Sequence, residues 1–393
     1  MQPYRILILT GDIEGNLGDR AILMATCDAL RRAYPDIEVT ILAPDADTAR
    51  RDFGAHAVRP GLRHLGAQLR AAVRSDRVLV GGGGLFQDDD SLLKMPYWAA
   101  RVALARLAGA RLTAHALGVG PLDALPSRLA ARLAFACMDA ISVRDERAKH
   151  VARSVTRKPV TVVPDPALAL RPVDSALARA ALAEADVPLD GRPLLGVAPR
   201  RWFPPRRRVL PHKLRWRIGL VSVREDPGSK LLMDRMAEAL QSFLRRHHGH
   251  VVLLPTYCAP QEGDDALCEE LRVRLPAESA SILRLHDPRL YQAVTGELDA
   301  MLGGRMHPMI LAASMGTPTV GLAYNPKFFG FMESIGRADA VIDVQTFVQG
   351  PKVEALASLI DEAVSGGRQS LTRMAALADH VETHCRQLAA DLP

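Results

Sequence analysis

Short apolar runs alternate along this chain with glycine-rich and polar clusters, spaced as strands and helices in turn. Residues 5–9 read as a buried strand, 11–18 as a glycine-rich loop, and 19–33 as a helix with Ile22, Leu23, Cys27 and Leu30 on one side. Further strands are predicted over 37–42, 76–80, 111–116, 140–143 and 160–163, with a helix opening at Glu146. Four consecutive glycines, Gly81 to Gly84, follow the strand that ends at Val80 and lead into Leu85-Phe86-Gln87-Asp88. Glycine at the carboxyl end of a buried strand lets a backbone or a ligand approach closely, and four in succession exceed what a tight turn needs.

Pro172, Pro188 and Pro193 bracket a short helical stretch over 175–185, which places an interdomain linker at 173–193. A second alternation follows: a strand over 194–198, a helix over 230–247, a strand over 251–255, a helix over 264–275 and a strand over 282–285. Residues 298–331 then form a β-α-β unit. An apolar run breaks at Gly303-Gly304, a helix runs over 306–315 with Pro308 in its first turn, Gly316-Thr317-Pro318 stops it, and 319–323 reads as a strand. Two final helical patterns, over 353–365 and 370–388, have no strand after them, so they pack outside or cross back to the first half. The pattern predicts an α/β protein of two Rossmann-like domains, 1–172 and 194–350, facing across a cleft, with C-terminal helices over 351–393. The glycine and polar clusters fall at the carboxyl ends of strands, the edge at which open parallel sheets bind ligands.

Composition narrows the class. With 393 residues, 48% of them hydrophobic, the chain is long enough for two cores. The N-terminus runs into an apolar strand without a basic, apolar and cleavage-site sequence, so no secretory signal is expected. The apolar region 99–117 is broken by Arg101, Arg106 and Arg111, so no membrane span is expected. Five scattered cysteines without ligand spacing fit a reduced, cytoplasmic compartment. The net charge is +6, and residues 200–217 hold eight Lys/Arg and no acid; removing those eight leaves −2. Basicity of that kind is local and argues against a nucleic-acid coat.

The 298–331 unit presents Arg305 and His307 at a helix N-terminus, with Lys327 just past the next strand. Unpaired N–H groups, the helix dipole and two fixed cations favour an anion there, and the histidine can move a proton. The first loop, Gly-Asp-Ile-Glu-Gly-Asn-Leu-Gly, lacks the G-x-G-x-x-G spacing of dinucleotide sites, and Asp45 after the second strand reads as a loop acid. No carboxylate cluster suggests a divalent metal, so a metal-independent protein without a cofactor is expected.

Six motifs occur in register: Gly15-Asn16-Leu17-Gly18-Asp19, Gly82-Gly83-Gly84-Leu85-Phe86-Gln87-Asp88, Gly118-Val119-Gly120-Pro121, Val143-Arg144-Asp145-Glu146, Pro164-Asp165-Pro166 and Gly304-Arg305-Met306-His307. Together, from about Ile6 to Met332, they resemble the polysaccharide pyruvyl transferase family. The resemblance implies a fold similar to the two-domain GT-B glycosyltransferases. It also implies transfer of the pyruvyl group of phosphoenolpyruvate, as co-substrate, to a sugar or lipid-linked glycan acceptor, forming a ketal across two hydroxyls. By motif, His307 and Arg305 take catalytic positions; Arg144, Arg305, Lys327, Gly83 and Gly84 take donor positions. Arg200, Asn16, Asp19 and Asp88 are assigned to the acceptor, Asp19 and Asp88 also reading as capping or loop acids. Pro308 departs from the motif, which usually continues with a small or apolar residue.

Two other readings compete. A GT-B glycosyltransferase would set its Arg/Lys groups against a nucleotide-sugar diphosphate, and a non-catalytic sugar- or nucleotide-binding protein would need no proton carrier at His307. The stretch 200–217 also interleaves Trp202, Phe203 and Trp216 with its cations, which suits peripheral contact with the inner face of an anionic membrane; a solvated basic loop is the plainer reading. A homo-oligomer stays open.

Overall fold

The computed structural model describes residues 3–89, 91–202, 209–210, 215, 227–257, 263–350 and 353–390. Strands β1 (Arg5–Leu9), β2 (Glu38–Leu42), β3 (His56–Val58), β4 (Arg77–Phe86), β5 (Leu112–Val119), β6 (Ala140–Val143) and β7 (Thr161–Val162) form one parallel sheet, in the order β3-β2-β1-β4-β5-β6-β7. In register, Ile6 of β1 stands beside Val39 of β2 and Arg77 of β4. Alternation along β1 splits its side chains between two cores. Ile6 and Ile8 pack with the helix Leu17–Ala33 on one face. Leu7 and Leu9 pack on the other with Met95, Val102 and Phe135, from the helices Lys94–Leu107 and Leu125–Cys137.

A second parallel sheet follows, made of β8 (Leu194–Ala198), β9 (His250–Leu253), β10 (Ala280–Ile282), β11 (Ala300–Gly303), β12 (Thr319–Ala323) and β13 (Val341–Asp343), ordered β10-β9-β8-β11-β12-β13. The helices Pro227–His247 and Val353–Ser365 bury Met233, Leu240, Leu356 and Ile360 against one of its faces. The last helix, Thr372–Ala390, lies on the first half of the molecule. Glu382 pairs with Arg32 at 2.9 Å, and His384 stacks on His115 with ring centroids 5.3 Å apart.

Two expectations change. The strand read as ending at Val80 continues through the glycine run to Phe86. A β-carbon at Gly81 would overlap the His115 carbonyl, one at Gly82 the Ile22 side chain, and one at Gly83 the Asp19 carboxylate; their φ angles of 147°, 67° and 90° are also positive. The close approach signalled by the run is thus made by β5 and the helix Leu17–Ala33. Second, Trp202 is not an exposed aromatic, because it packs part-buried against the core of the second sheet. Phe203, Arg206 to Arg208 and Trp216 lie outside the described residues. No helix among the described residues is long and apolar enough to cross a membrane.

Candidate active site

Strand order reverses direction between β1 and β4 in one sheet, and between β8 and β11 in the other. Such switch points open a crevice outside the carboxyl ends of the strands. Here the two crevices meet. Asn16, after β1, forms a β-bridge with Tyr257, after β9. The Leu17 N–H donates to the Thr256 carbonyl at 3.3 Å, and the Tyr257 hydroxyl donates to Asp12 at 2.7 Å.

His307 enters this seam from the second half. Arg305 is the extended cap residue (φ −115°, ψ 140°) of the helix Met306–Ser314, so His307 sits in its first turn, where the missing N–H of Pro308 is no loss. The imidazole packs on Gly18 so closely that a β-carbon there would overlap the ring. Its Nε2 lies 3.7 Å from Asp165 Oδ2, an ion-pair distance, and has no hydrogen-bond partner among the described residues. Burial alone would raise the Asp165 carboxyl. His307, Arg144 and the Ala167 N–H outweigh it and hold the group below the usual carboxylate range. Arg144 is itself buried, 3.4 Å from both Asp165 and Asp145.

Asp19 approaches the same histidine from the first turn of the helix Leu17–Ala33. It accepts from the Asp12 N–H at 2.9 Å and the Asn16 amide at 3.2 Å. Burial raises its pKa, against the opposing pull of His307, the Asp12 N–H and Lys327. Asn16 caps the helix through the Gly18 N–H at 2.9 Å, which is why the helix begins two residues before Asp19.

Lys327 completes the cluster. Burial, reinforced by Arg200, Arg144 and Lys94 and opposed by Asp89, lowers its pKa to about 7. Lys327 and Arg200 share the Tyr324 ring, with Nζ 5.1 Å and Cζ 3.3 Å from its centroid. Three arginine and lysine side chains on three different strand ends therefore converge beside a histidine and two carboxyls of opposite tuning.

Other predicted residues are placed differently. Arg305 turns its guanidinium onto Asp264, at 2.6 and 3.1 Å, and that fully buried acid also accepts from the Thr256 and Tyr257 N–H groups. Asp88 is fully buried and accepts from the N–H groups of Asp123 (3.1 Å) and Ala124 (2.9 Å), so its carboxylate anchors the turn before Leu125–Cys137 and does not reach the cleft. Gly83 lies against Asp19, and Gly84 against Gln87. Asp165, Asp89, Lys94, Tyr324 and Asp264 carried no role in the sequence reading. Asp165 was visible in its Pro-Asp-Pro motif, and Asp89 in the acidic run beside Asp88.

A cavity of about 350 Å³ opens at the other end of the seam, where the loops after β1 and β2 face those after β9 and β10. Asn16, Thr48, Thr256 and His286 line it, and Arg20 and Arg51 are balanced there by Glu14 and Asp52. Arg20 and Arg51 pair with Asp52 at 2.6 and 2.8 Å.

Two facing parallel sheets with their switch points turned together define a GT-B-type architecture. Its solved neighbours include the UDP-GlcNAc 2-epimerase from Methanocaldococcus jannaschii (12% identity, TM-score 0.63, covering 99% of this chain and 100% of that one). The UDP-GlcNAc 2-epimerase from Neisseria meningitidis, bound to UDP-GlcNAc, is similar at 10% identity and TM-score 0.59, each chain fully covered. The ADP-heptose LPS heptosyltransferase II of E. coli matches at 13% and 0.51, over 92% of this chain and 99% of that one. At such identities the likeness is one of fold. No curated protein matches the sequence. The profile of the polysaccharide pyruvyl transferase family matches residues 16–326, and the chain belongs to that family.

Proposed function

We propose that this transferase moves the pyruvyl group of phosphoenolpyruvate onto two hydroxyls of a sugar, in a polysaccharide or its lipid-linked precursor, to form a cyclic ketal. The observation that carries this reading is the gathering of His307, Asp165 and Asp19 in one cluster with Arg144, Arg200 and Lys327. A donor bearing both a carboxylate and a phosphate needs several fixed cations, and arginine forks suit the planar group. His307 delivers a proton to the enol methylene, which becomes a methyl, and positive charge develops on the carbon bearing the phosphate. One sugar hydroxyl attacks that carbon, and its proton passes to Asp19. The phosphate departs with the electrons of its C–O bond. The second hydroxyl then attacks the resulting oxocarbenium carbon and closes the ring, its proton returning to His307 while Asp19 passes its own to the departing phosphate, and the reaction needs no metal. General acid catalysis of this kind is worth about 10²–10⁴-fold.

Arg305 supports the site indirectly in this reading, by fixing the 256–257 turn through Asp264. The charge-balanced cavity beside Asn16 suits the uncharged hydroxyl-rich body of the acceptor, and its volume falls within the roughly 300–1,000 Å³ of small-molecule sites. A nucleotide-sugar donor is the second reading, favoured by the UDP-GlcNAc held in a neighbour of this fold. Thermal-shift titration separates the two. Phosphoenolpyruvate should raise Tm in the protein and not in a Lys327→Met variant, whereas UDP-GlcNAc should leave both unchanged. A shift with UDP-GlcNAc alone would reverse the assignment.

A further inference from the structure

Seven of the fourteen large hydrophobic side chains exposed among the described residues lie on the helices Leu65–Arg74, Lys94–Leu107 and Leu125–Cys137, which share one face of the first sheet. On Leu125–Cys137 the outward positions Leu125, Leu129 and Leu133 are 67%, 58% and 52% exposed; beside them on Lys94–Leu107 stand Tyr97, Leu104 and Leu107, the last 85% exposed. A surface helix normally turns such a stripe inward, and here the inward side is already filled by Met95, Val102, Ala131 and Phe135. An apolar surface gathered on one side of a chain marks an interface.

Charge identifies the occupant. Residues 59–75, 94–111 and 124–138, which hold these helices and their flanks, contain ten Lys/Arg and no Asp or Glu. Arg70, Arg74, Arg106, Arg128 and Arg132 are exposed around the leucines. Acids flank these segments at Asp76, which pairs with Arg5, and at Asp123 and Asp139 on either side of Leu125–Cys137, Asp139 being paired with Arg106 at 3.0 Å. Leucine and tyrosine ringed by arginine without carboxylates is the composition of a surface that lies in the headgroup layer of an anionic bilayer. A second copy of the chain would set these exposed arginines against arginines. Both longer helices begin at the sheet edge that carries the candidate site, where Lys94 contributes to the field at Lys327.

We infer that this three-helix face docks the protein onto an anionic lipid surface, with the cleft opening beside the headgroups. The inference goes beyond the pyruvyl-transfer reading, since docking requires no particular chemistry in the cleft, and it places the membrane contact on a surface other than residues 200–217. Sedimentation with phosphatidylglycerol/phosphatidylcholine vesicles at low salt tests it without a turnover readout. Wild type should sediment and should be released by neutral phosphatidylcholine or high salt. Both Leu129→Ser/Leu133→Ser and Arg128→Ser/Arg132→Ser should weaken the association by roughly tenfold or more. All four side chains are exposed, so the variants should keep the wild-type Tm and the response to phosphoenolpyruvate. Arg206→Ser/Arg207→Ser/Arg208→Ser should bind vesicles like wild type. Retained binding by the leucine variant, or loss only in the 206–208 variant, overturns the inference. So does a wild type that ignores vesicles and dimerises through these leucines by light scattering.

Discussion

Gly18 lies directly against the His307 imidazole, so a residue of the first sheet's leading helix sets the position of a histidine supplied by the second half. The contact explains why a glycine, otherwise the poorest choice but proline for a helical turn, stands at the second position of Leu17–Ala33. Gly18→Ala should favour the helix by propensity, at about 1 kcal/mol, yet displace the ring. The expected result is an unchanged or lower Tm, since moving the ring offsets the propensity gain, with kcat lowered by at least about tenfold, as a misplaced proton donor loses much of the 10²–10⁴ it supplies. A variant with wild-type kcat would show that His307 tolerates another position.

His307→Ala should abolish turnover and leave phosphoenolpyruvate binding within about tenfold, because in the proposed reaction Arg144, Arg200 and Lys327 hold the anion while the imidazole delivers the proton. Asp165→Asn is the subtler test. The Asp165 carboxylate faces the imidazole at 3.7 Å, so its loss should let the ring turn away and lower kcat by at least about tenfold. Wild-type kcat in a folded variant would separate Asp165 from the proton step.

Lys327 gives a pH dependence with a definite sign. Burial first, then Arg200 and Arg144, lower its pKa from 10.5 to about 7. Between those values the unfolded chain holds a proton that the native protein lacks, so this group makes the unliganded protein more stable as pH rises through the window. A bound anion reverses the preference. Phosphoenolpyruvate should therefore bind with proton uptake at pH 8, read by calorimetry in buffers of different ionisation enthalpy, and more weakly as pH rises. Lys327→Met should remove most of that uptake; equal uptake in both proteins would assign the proton elsewhere.

Asp88 and Asp89 should separate by phenotype. Asp88 is buried on two backbone N–H groups, so Asp88→Asn should lower stability by about 1–3 kcal/mol and leave the acceptor KM unchanged. Asp89 opposes the lowering of the Lys327 pKa, so Asp89→Asn should instead alter the pH dependence of donor binding. A changed acceptor KM in Asp88→Asn would return that residue to the acceptor site.

Much of this was legible in the chain. The strands at Arg5–Leu9, Ala140–Val143, Leu194–Ala198 and Thr319–Ala323 lie where their apolar runs predict. β3 and β13, three residues each, are too short to carry a period. The glycine run announced a close approach, but sequence could not say whether a ligand or the helix bearing Ile22 and Asp19 makes it. Arg305 looked like a free cation because its partner, Asp264, is 41 residues earlier and meets it through folding alone. The basic, leucine-bearing face escaped notice for the same reason, being divided among three segments that only the sheet brings side by side.

In the proposed reaction the pyruvyl carbons of phosphoenolpyruvate end up in the acceptor. The most direct test uses phosphoenolpyruvate labelled in the pyruvyl carbons, a glycan acceptor and a chelator, with label in the glycan and free phosphate measured together. Equal amounts of ketal-linked label and phosphate are expected, both lost in His307→Ala. Phosphate release without label in the glycan, or glycan modification only when a nucleotide sugar is supplied, would contradict this transfer.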